Sequence, residues 1–273
     1  MRRLKDLTDL EKSEILQKRY NGEFEKSICK EYDISTRQYH NLLSLNSINR
    51  KKISHKYNFN EDYFETIDTE DKAYFLGFII ADGCVSDRTN SIKITQKEIY
   101  ILLEFKKYIE FEGNIFTRKD GKISCITVTS NKTKIDLEKL GINPNKTMVV
   151  KYPEIPESLQ NHFMRGVFDG DGCISLRTDI RDNSQRGQFN ICSGSYDFIY
   201  EYYNKLVKYA GLNGNNKIRC PKGTYYVVDW GSLSDVENIY KFLYKDAEVY
   251  LRRKKETFDK VVSITTNKNK YRK

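Results

Sequence analysis

The sequence predicts an α+β protein made of two pseudo-symmetric αββαββα halves, preceded by a small all-α module. Three observations carry that prediction. Gly77-Phe78-Ile79-Ile80-Ala81-Asp82-Gly83-Cys84-Val85-Ser86 returns as Gly166-Val167-Phe168-Asp169-Gly170-Asp171-Gly172-Cys173-Ile174-Ser175, with Gly, Asp, Gly, Cys and Ser in register. The strand and helix patterns after the two copies follow the same order. Ahead of them, Leu7 to Tyr20 has helical spacing. An internal repeat outranks any local signal in reading a fold.

Each element follows from its own periodicity. Phe75, Leu76, Phe78 and Ile79 are apolar almost all round, as in a helix buried on most sides. After Asp82-Gly83 come strand-like residues, the alternating Ile92-Lys93-Ile94-Thr95 and a helix from about Lys97 to Glu112. Two strands (Asn114 to Arg118, Lys122 to Thr129) and a helix from about Thr133 to Leu140 complete the first half. In the second half, Cys173 to Arg177 and Gln188 to Cys192 read as strands and Tyr196 to Tyr209 as a helix. Strands at Lys217 to Cys220 and Tyr225 to Trp230, and a helix at Ser234 to Lys245, finish it.

The 273 residues carry a formal net charge of +9, with 38% hydrophobic and 31% charged residues, which excludes a disordered chain. The basic surplus points to a polyanion, most often nucleic acid. From Leu251 to Lys273 nine Lys and Arg face two acids. The six cysteines include no C-x-x-C pair and the three histidines no zinc spacing, as expected of reduced thiols in an intracellular protein. Met1-Arg2-Arg3-Leu4-Lys5-Asp6 opens no signal peptide, and no apolar run is long enough for a membrane span; the expected location is cytoplasmic.

The repeat has a chemical consequence. Gly77 and Ala81, like Gly166 and Gly170, lie four apart and line one face of each helix with small residues. Two such stripes let two helices touch along a pseudo-twofold axis, because no side-chain bulk intervenes. Gly83 and Gly172 are expected to end the helices with positive φ. Asp82 and Asp171 would then emerge side by side. Paired carboxylates repel unless a cation lies between them, and Mg²⁺ takes such oxygen ligands while bridging phosphate oxygens. A metal held there activates water and stabilises the leaving oxygen of a phosphodiester.

Phe75-Leu76-Gly77-Phe78-Ile79-Ile80-Ala81-Asp82-Gly83 and Met164-Arg165-Gly166-Val167-Phe168-Asp169-Gly170-Asp171-Gly172 resemble the nine-residue signature of the LAGLIDADG homing endonucleases, and the likeness extends over residues 66 to 258. The resemblance implies two saddle-shaped antiparallel sheets, with the motif helices at the interface of the halves. It implies a single-chain monomer making Mg²⁺-dependent double-strand breaks in a long, asymmetric DNA site, with short 3′ overhangs; Mn²⁺ is expected to substitute. The metal ligands it implies are Asp82 and Asp171, assisted by the carbonyls of Ala81 and Gly170. Ile80 stands where the signature has an acid, at a position that is structural in the family. Lys146 and Lys254 resemble the basic residues placed near the scissile phosphates. Gln96 resembles a glutamine that positions solvent near the metal; the second half has Ser193 there, so the two sites are expected to be chemically unequal.

On the strands, alternation puts Lys93 and Thr95 on one face and Ile92 and Ile94 behind them; Gln188 and Asn190 stand opposite Phe189 and Ile191. Joined by Arg88, Arg177, Lys217 and Arg219, they form the surface expected to read base edges in a major groove. At the N-terminus, Leu10, Ile15 and Leu16 occupy the apolar positions of the first helix, and a second runs from about Phe24 to Tyr32. Asp33-Ile34-Ser35-Thr36 then forms a turn with a ready N-cap. The pattern resembles a helix-turn-helix, with Thr36, Arg37, Gln38, His40 and Asn41 outward. The expected boundaries are 1–48 for this module, 49–67 for a linker, 68–150 and 151–260 for the halves, and 261–273 for a disordered basic tail. Two alternatives share the fold: a non-cleaving DNA-binding regulator, and an RNA-binding intron maturase. An intein is not expected, since Met1 begins the chain and no splice-junction residues frame it.

Overall fold

The computed structural model describes residues 1–20, 25–46, 57–86, 88–144, 148–179 and 184–270. The chain divides into two compact units, Met1–Asn58 and Phe59–Lys273.

The first unit holds α1 (Asp9–Tyr20), α2 (Glu25–Glu31) and α3 (Thr36–Leu45). Its core is Leu7, Ile15, Ile28, Cys29, Tyr32, Ile34, Tyr39, Leu42 and Leu43, with Leu16 packed against it. Leu10, expected in that core, is 71% exposed. It lies five residues from Ile15, roughly 140° around the helix, and Leu7 fills the core from before the helix. Ser35 caps α3 by accepting from the Gln38 backbone N–H, while its own N–H donates to Gln38 Oε1 (2.8 Å). This capping box starts the helix abruptly after the turn at Asp33, whose φ is 51°.

The second unit carries the duplicated architecture. Its first half runs α4 (Glu70–Asp82), β1 (Gly83–Ser86), β2 (Ser91–Gln96), α5 (Ile99–Tyr108), β3 (Phe116–Thr117), β4 (Ser124–Thr129) and α6 (Asn131–Lys139). The second runs α7 (Gln160–Asp171), β5 (Gly172–Asp179), β6 (Ser184–Ser193), α8 (Tyr196–Ala210), β7 (Tyr226–Trp230) and α9 (Leu233–Leu243), followed by α10 (Arg252–Lys270). The sheets are antiparallel, ordered β1-β2-β4-β3 and β5-β6-β7. Each buries one face: Ile92, Ile94, Ile126 and Val128 in the first, Phe189, Ile191, Val228 and Trp230 in the second. This is the α+β architecture of two repeated halves that the sequence predicts.

Three expectations need correction. The strand expected at Lys217 to Cys220 shrinks to one bridge, Arg219 to Val227. Pro221 follows at once, and proline cannot donate to a ladder. The supposed linker residues Tyr63, Phe64 and Ile67 are buried in the second unit, the Tyr63 hydroxyl donating to Asp71 (2.5 Å). Residues 261–270, expected to be disordered, continue α10, because Leu251, Phe258 and Val261 form a buried apolar stripe at helical spacing.

Candidate functional site

The motif helices meet along their small-residue faces. A Cβ placed on Gly166 would lie 2.0 Å from the Tyr74 carbonyl oxygen, and one on Gly77 would lie 2.2 Å from that of Phe163. Backbone meets backbone here, so no side chain larger than hydrogen fits. At the far end of the contact, a Cβ on Gly170 would meet Ala81 Cβ at 2.2 Å and Asp82 Cγ at 3.5 Å. The Asp82 carboxyl therefore lies against the helix that ends in Asp171, one residue from it. Gly83 and Gly172 close the helices with φ of −81° and −87°, not the positive φ expected. Crowding explains them instead: added Cβ atoms would sit 2.6 Å from the Ile79 carbonyl oxygen and 2.3 Å from the Phe168 ring.

The surroundings of the two acids differ. Asp82 is half-buried and accepts a 2.5 Å hydrogen bond from Gln96 Nε2 at the end of β2. Asp171 is exposed; its carbonyl accepts from the Cys192 thiol (3.3 Å). At the position of Gln96, Ser193 instead accepts from the Ser195 N–H (3.1 Å).

Lys254 is 7% exposed. Its ammonium donates to the carbonyls of Phe168 (2.6 Å), Gly172 (2.7 Å) and Gly170 (3.4 Å), satisfying the last turn of α7. Burial pulls its pKa down, against the opposing charges of Asp169 and, to a smaller extent, Asp82. The ammonium thus turns into the helix end, where the orphan carbonyls attract a cation. Lys146 lies outside the described residues.

The acid peculiar to the second motif, Asp169, is structural. It is buried, and its Oδ2 accepts from the Tyr74 hydroxyl of α4 (2.8 Å) and the Leu251 N–H (2.7 Å). Burial raises its pKa to about 6, against the pull of Lys254. At the opposite end of the helix pair, the fully buried Arg165 donates to Glu70 (2.6 Å), Leu243 O (2.7 Å) and Val249 O (2.9 Å). Glu70 also accepts from the Glu248 N–H (2.8 Å). Burial pushes the Glu70 carboxyl up, but bonds from His162 and Glu248 and the Arg165 charge hold it below its ordinary value. These locking residues escape a sequence reading because their partners are remote in the chain.

Beside the acids, each sheet turns one face outward. On the first, Lys93 and Thr95 are exposed as expected, with Cys84 and Thr127 across the ladder; Arg88 is exposed near the β1–β2 turn. Phe116, 64% exposed, stands on this face opposite Cys125, where no spacing along the chain points to it. On the second, Arg177 lies directly opposite Arg186 and Asn190 opposite Asp229; Lys217 is exposed. Gln188 and Arg219 do not project singly: both donate to Asp229, at 2.8 and 2.5 Å. In the first unit Thr36, Arg37 and Asn41 are exposed. Gln38 is spent on the capping box, and His40 pairs with Glu25 at 3.1 Å.

No protein-family model matches the chain. Among solved structures, a lysine-to-alanine variant of I-SmaMI aligns with a TM-score of 0.53 at 14% identity, over 72% of this chain and 92% of that one. The LAGLIDADG homing endonuclease I-GzeII, in complex with its DNA target, aligns with a TM-score of 0.53 at 14% identity over 75% and 92%. The chain has the LAGLIDADG homing-endonuclease fold. A further structure of this fold, I-LtrWI bound to target DNA, aligns with a TM-score of 0.51 at 15% identity over 77% and 92%. In sequence, the chain is 22% identical over 209 residues to the probable translation initiation factor IF-2 of Methanocaldococcus jannaschii, matching 72% of this chain but 16% of that protein. The chain therefore spans about a sixth of that relative's length. Among the described residues, no helix is long and apolar enough to cross a membrane.

Proposed function

We propose that this chain is a site-specific DNA endonuclease that hydrolyses one phosphodiester in each strand, leaving short 3′ overhangs. The observation that carries this reading is the junction of the motif helices. Two aspartates end two helices whose backbones touch, between two sheets with polar outward faces.

The donor set there suits a hard divalent cation. Asp82 and Asp171 offer carboxylate oxygens, and the carbonyls of Ala81 and Gly170 lie beside them. Among the described residues no group of three or more His, Cys, Asp or Glu forms a self-sufficient metal cage. A site of two carboxylates leaves coordination positions for phosphate oxygens and water, as Mg²⁺ prefers. Mg²⁺, or Mn²⁺ in its place, would be held by Asp82 and Asp171 and would supply Lewis-acid polarisation of the phosphodiester and a more acidic attacking water.

The chain's own residues do the rest. Gln96 fixes the rotamer of Asp82. Lys254 holds the end of α7, so that Asp171 leaves the helix in a set direction, and adds positive charge beneath the phosphates. Lys93, Thr95, Arg88, Arg177, Asn190 and Lys217 face the groove. In the first unit, Thr36, Arg37 and Asn41 supply a second contact with duplex DNA, giving a long, asymmetric site bound by one chain.

The test is cleavage of a plasmid carrying the uninterrupted sequence formed by joining the two flanks of the chain's own gene. Linear product is expected with Mg²⁺ or Mn²⁺ and none in EDTA. Tight binding without a cut under either metal would replace this reading with that of a DNA-binding regulator.

A further inference from the structure

On the outward face of the second sheet an acid, Asp229, stands among arginine and amide side chains. A carboxylate on a face that meets phosphates is costly unless it has a task. Its surroundings identify that task. Arg219 and Val227 exchange both backbone hydrogen bonds (2.9 and 2.8 Å), which fixes the Arg219 backbone at the sheet edge. Its Nη2 donates to Asp229 Oδ2 at 2.5 Å, while the Arg219 side chain stays 55% exposed against 22% for Asp229. The other carboxylate oxygen, Oδ1, accepts from Gln188 Nε2 at 2.8 Å. The Gln188 Oε1 is buried and has no hydrogen-bond partner among the described residues. The Asp229 carbonyl in turn accepts from Asn216 (2.6 Å), in the segment leading to Arg219.

Of these side chains the guanidinium is the most exposed, and it keeps further N–H donors beyond the one given to Asp229. A free arginine has rotamer entropy to lose and docks on phosphate as readily as on a base. Here the carboxylate removes that freedom beforehand, and its charge repels a phosphate from the same spot. The remaining donors suit the O6 and N7 acceptors of guanine.

We propose that Arg219, buttressed by Asp229, reads a guanine in the half-site under the second sheet, and that Gln188 anchors the buttress without reading a base. This rests on the reading of the chain as a site-specific DNA-binding enzyme.

The test is selection of bound duplexes from a randomised library, in EDTA so that nothing is cut. The wild-type consensus is expected to contain a guanine column that Arg219→Ala abolishes, with discrimination there falling at least about 5-fold and other columns unchanged. Asp229→Ala should flatten the same column, while Asp229→Asn and Gln188→Ala, which loosen the buttress without removing it, should flatten it less and leave the other columns in place. Thermal unfolding of each variant, expected to match wild type, separates a lost contact from a lost fold. A wild-type consensus whose columns all survive Asp229→Ala would overturn the buttress while sparing the DNA-binding reading. So would an Arg219→Ala variant that binds every sequence uniformly more weakly, as a lost phosphate contact does. No enriched consensus at all would overturn both.

Discussion

The two halves of the second unit share a scaffold and differ in what surrounds each acid. Gly77 and Gly166 play one part in both, as each admits the partner helix's backbone. Around Asp82 lies an amide, Gln96; around the end of α7 lies an ammonium, Lys254, clasping three carbonyls. The outward faces diverge as well. The first carries Lys93, Thr95, Thr127 and the exposed Phe116, while the second carries an acid that organises an arginine and a glutamine. Duplication thus preserved the contacts that bring the halves together, where backbone sterics leave no freedom. Side chains facing outward carry no such constraint and are free to diverge.

Substitutions probe that contrast. The largest effect is expected at the acids, where the halves should be equivalent. Asp82→Asn and Asp171→Asn should each lower double-strand cleavage at least about 10²-fold, with DNA binding within about threefold of wild type by titration. If one variant cuts both strands normally, that acid does not serve the metal.

The scaffold comes next. Gly166→Ala and Gly77→Ala should each destabilise the second unit by about 3 kcal/mol or more, at the upper end of overpacking costs, because backbone rather than flexible side chain stands in the way. Chemical denaturation measures this. A loss under about 1 kcal/mol at either position, the low end of those costs, would mean that the helices part easily.

Lys254→Met isolates what is peculiar to the second half. It removes donors from three carbonyls at the end of α7 and should cost roughly 1–3 kcal/mol, together with slower cleavage; unchanged stability would assign the ammonium elsewhere.

Smallest is the contrast between Gln96→Ala and Ser193→Ala. Loss of the amide that orients Asp82 should slow cutting of one strand about 10-fold, as for other groups that orient metal ligands. Nicked circles would then accumulate on a supercoiled plasmid. Ser193→Ala should leave both strand rates alone, since that hydroxyl serves a turn.

How much of this was legible in the sequence depended on whether the signal was local. The motif glycines, the Ile92/Ile94 alternation and the order of elements were readable because each is fixed by neighbours in the chain. The Ser35-to-Gln38 spacing announced a cap, yet Gln38 also looked like a reader; one side chain cannot serve both. The stripe Leu251, Lys254, Phe258, Val261 was present at helical spacing, but the basic residues beyond it disguised the last part of α10, residues 261–270, as a tail. The carbonyl partners of Lys254 were not legible, because only the fold brings the end of α7 to it. Asp229 shares the outward parity of Val227, against buried Val228 and Trp230. Its partners Arg219 and Gln188 meet it only across the sheet, so no spacing along the chain reveals the trio.

The proposed chemistry depends on the ends of two touching helices delivering Asp82 and Asp171 to a shared metal site. Anomalous diffraction from crystals grown with Mn²⁺ and the selected duplex would locate that metal. An anomalous peak is expected within coordination distance, about 2.0–2.4 Å, of carboxylate oxygens from both residues. Manganese bound elsewhere, or carboxylates more than about 10 Å apart and so unable to share a site, would contradict it.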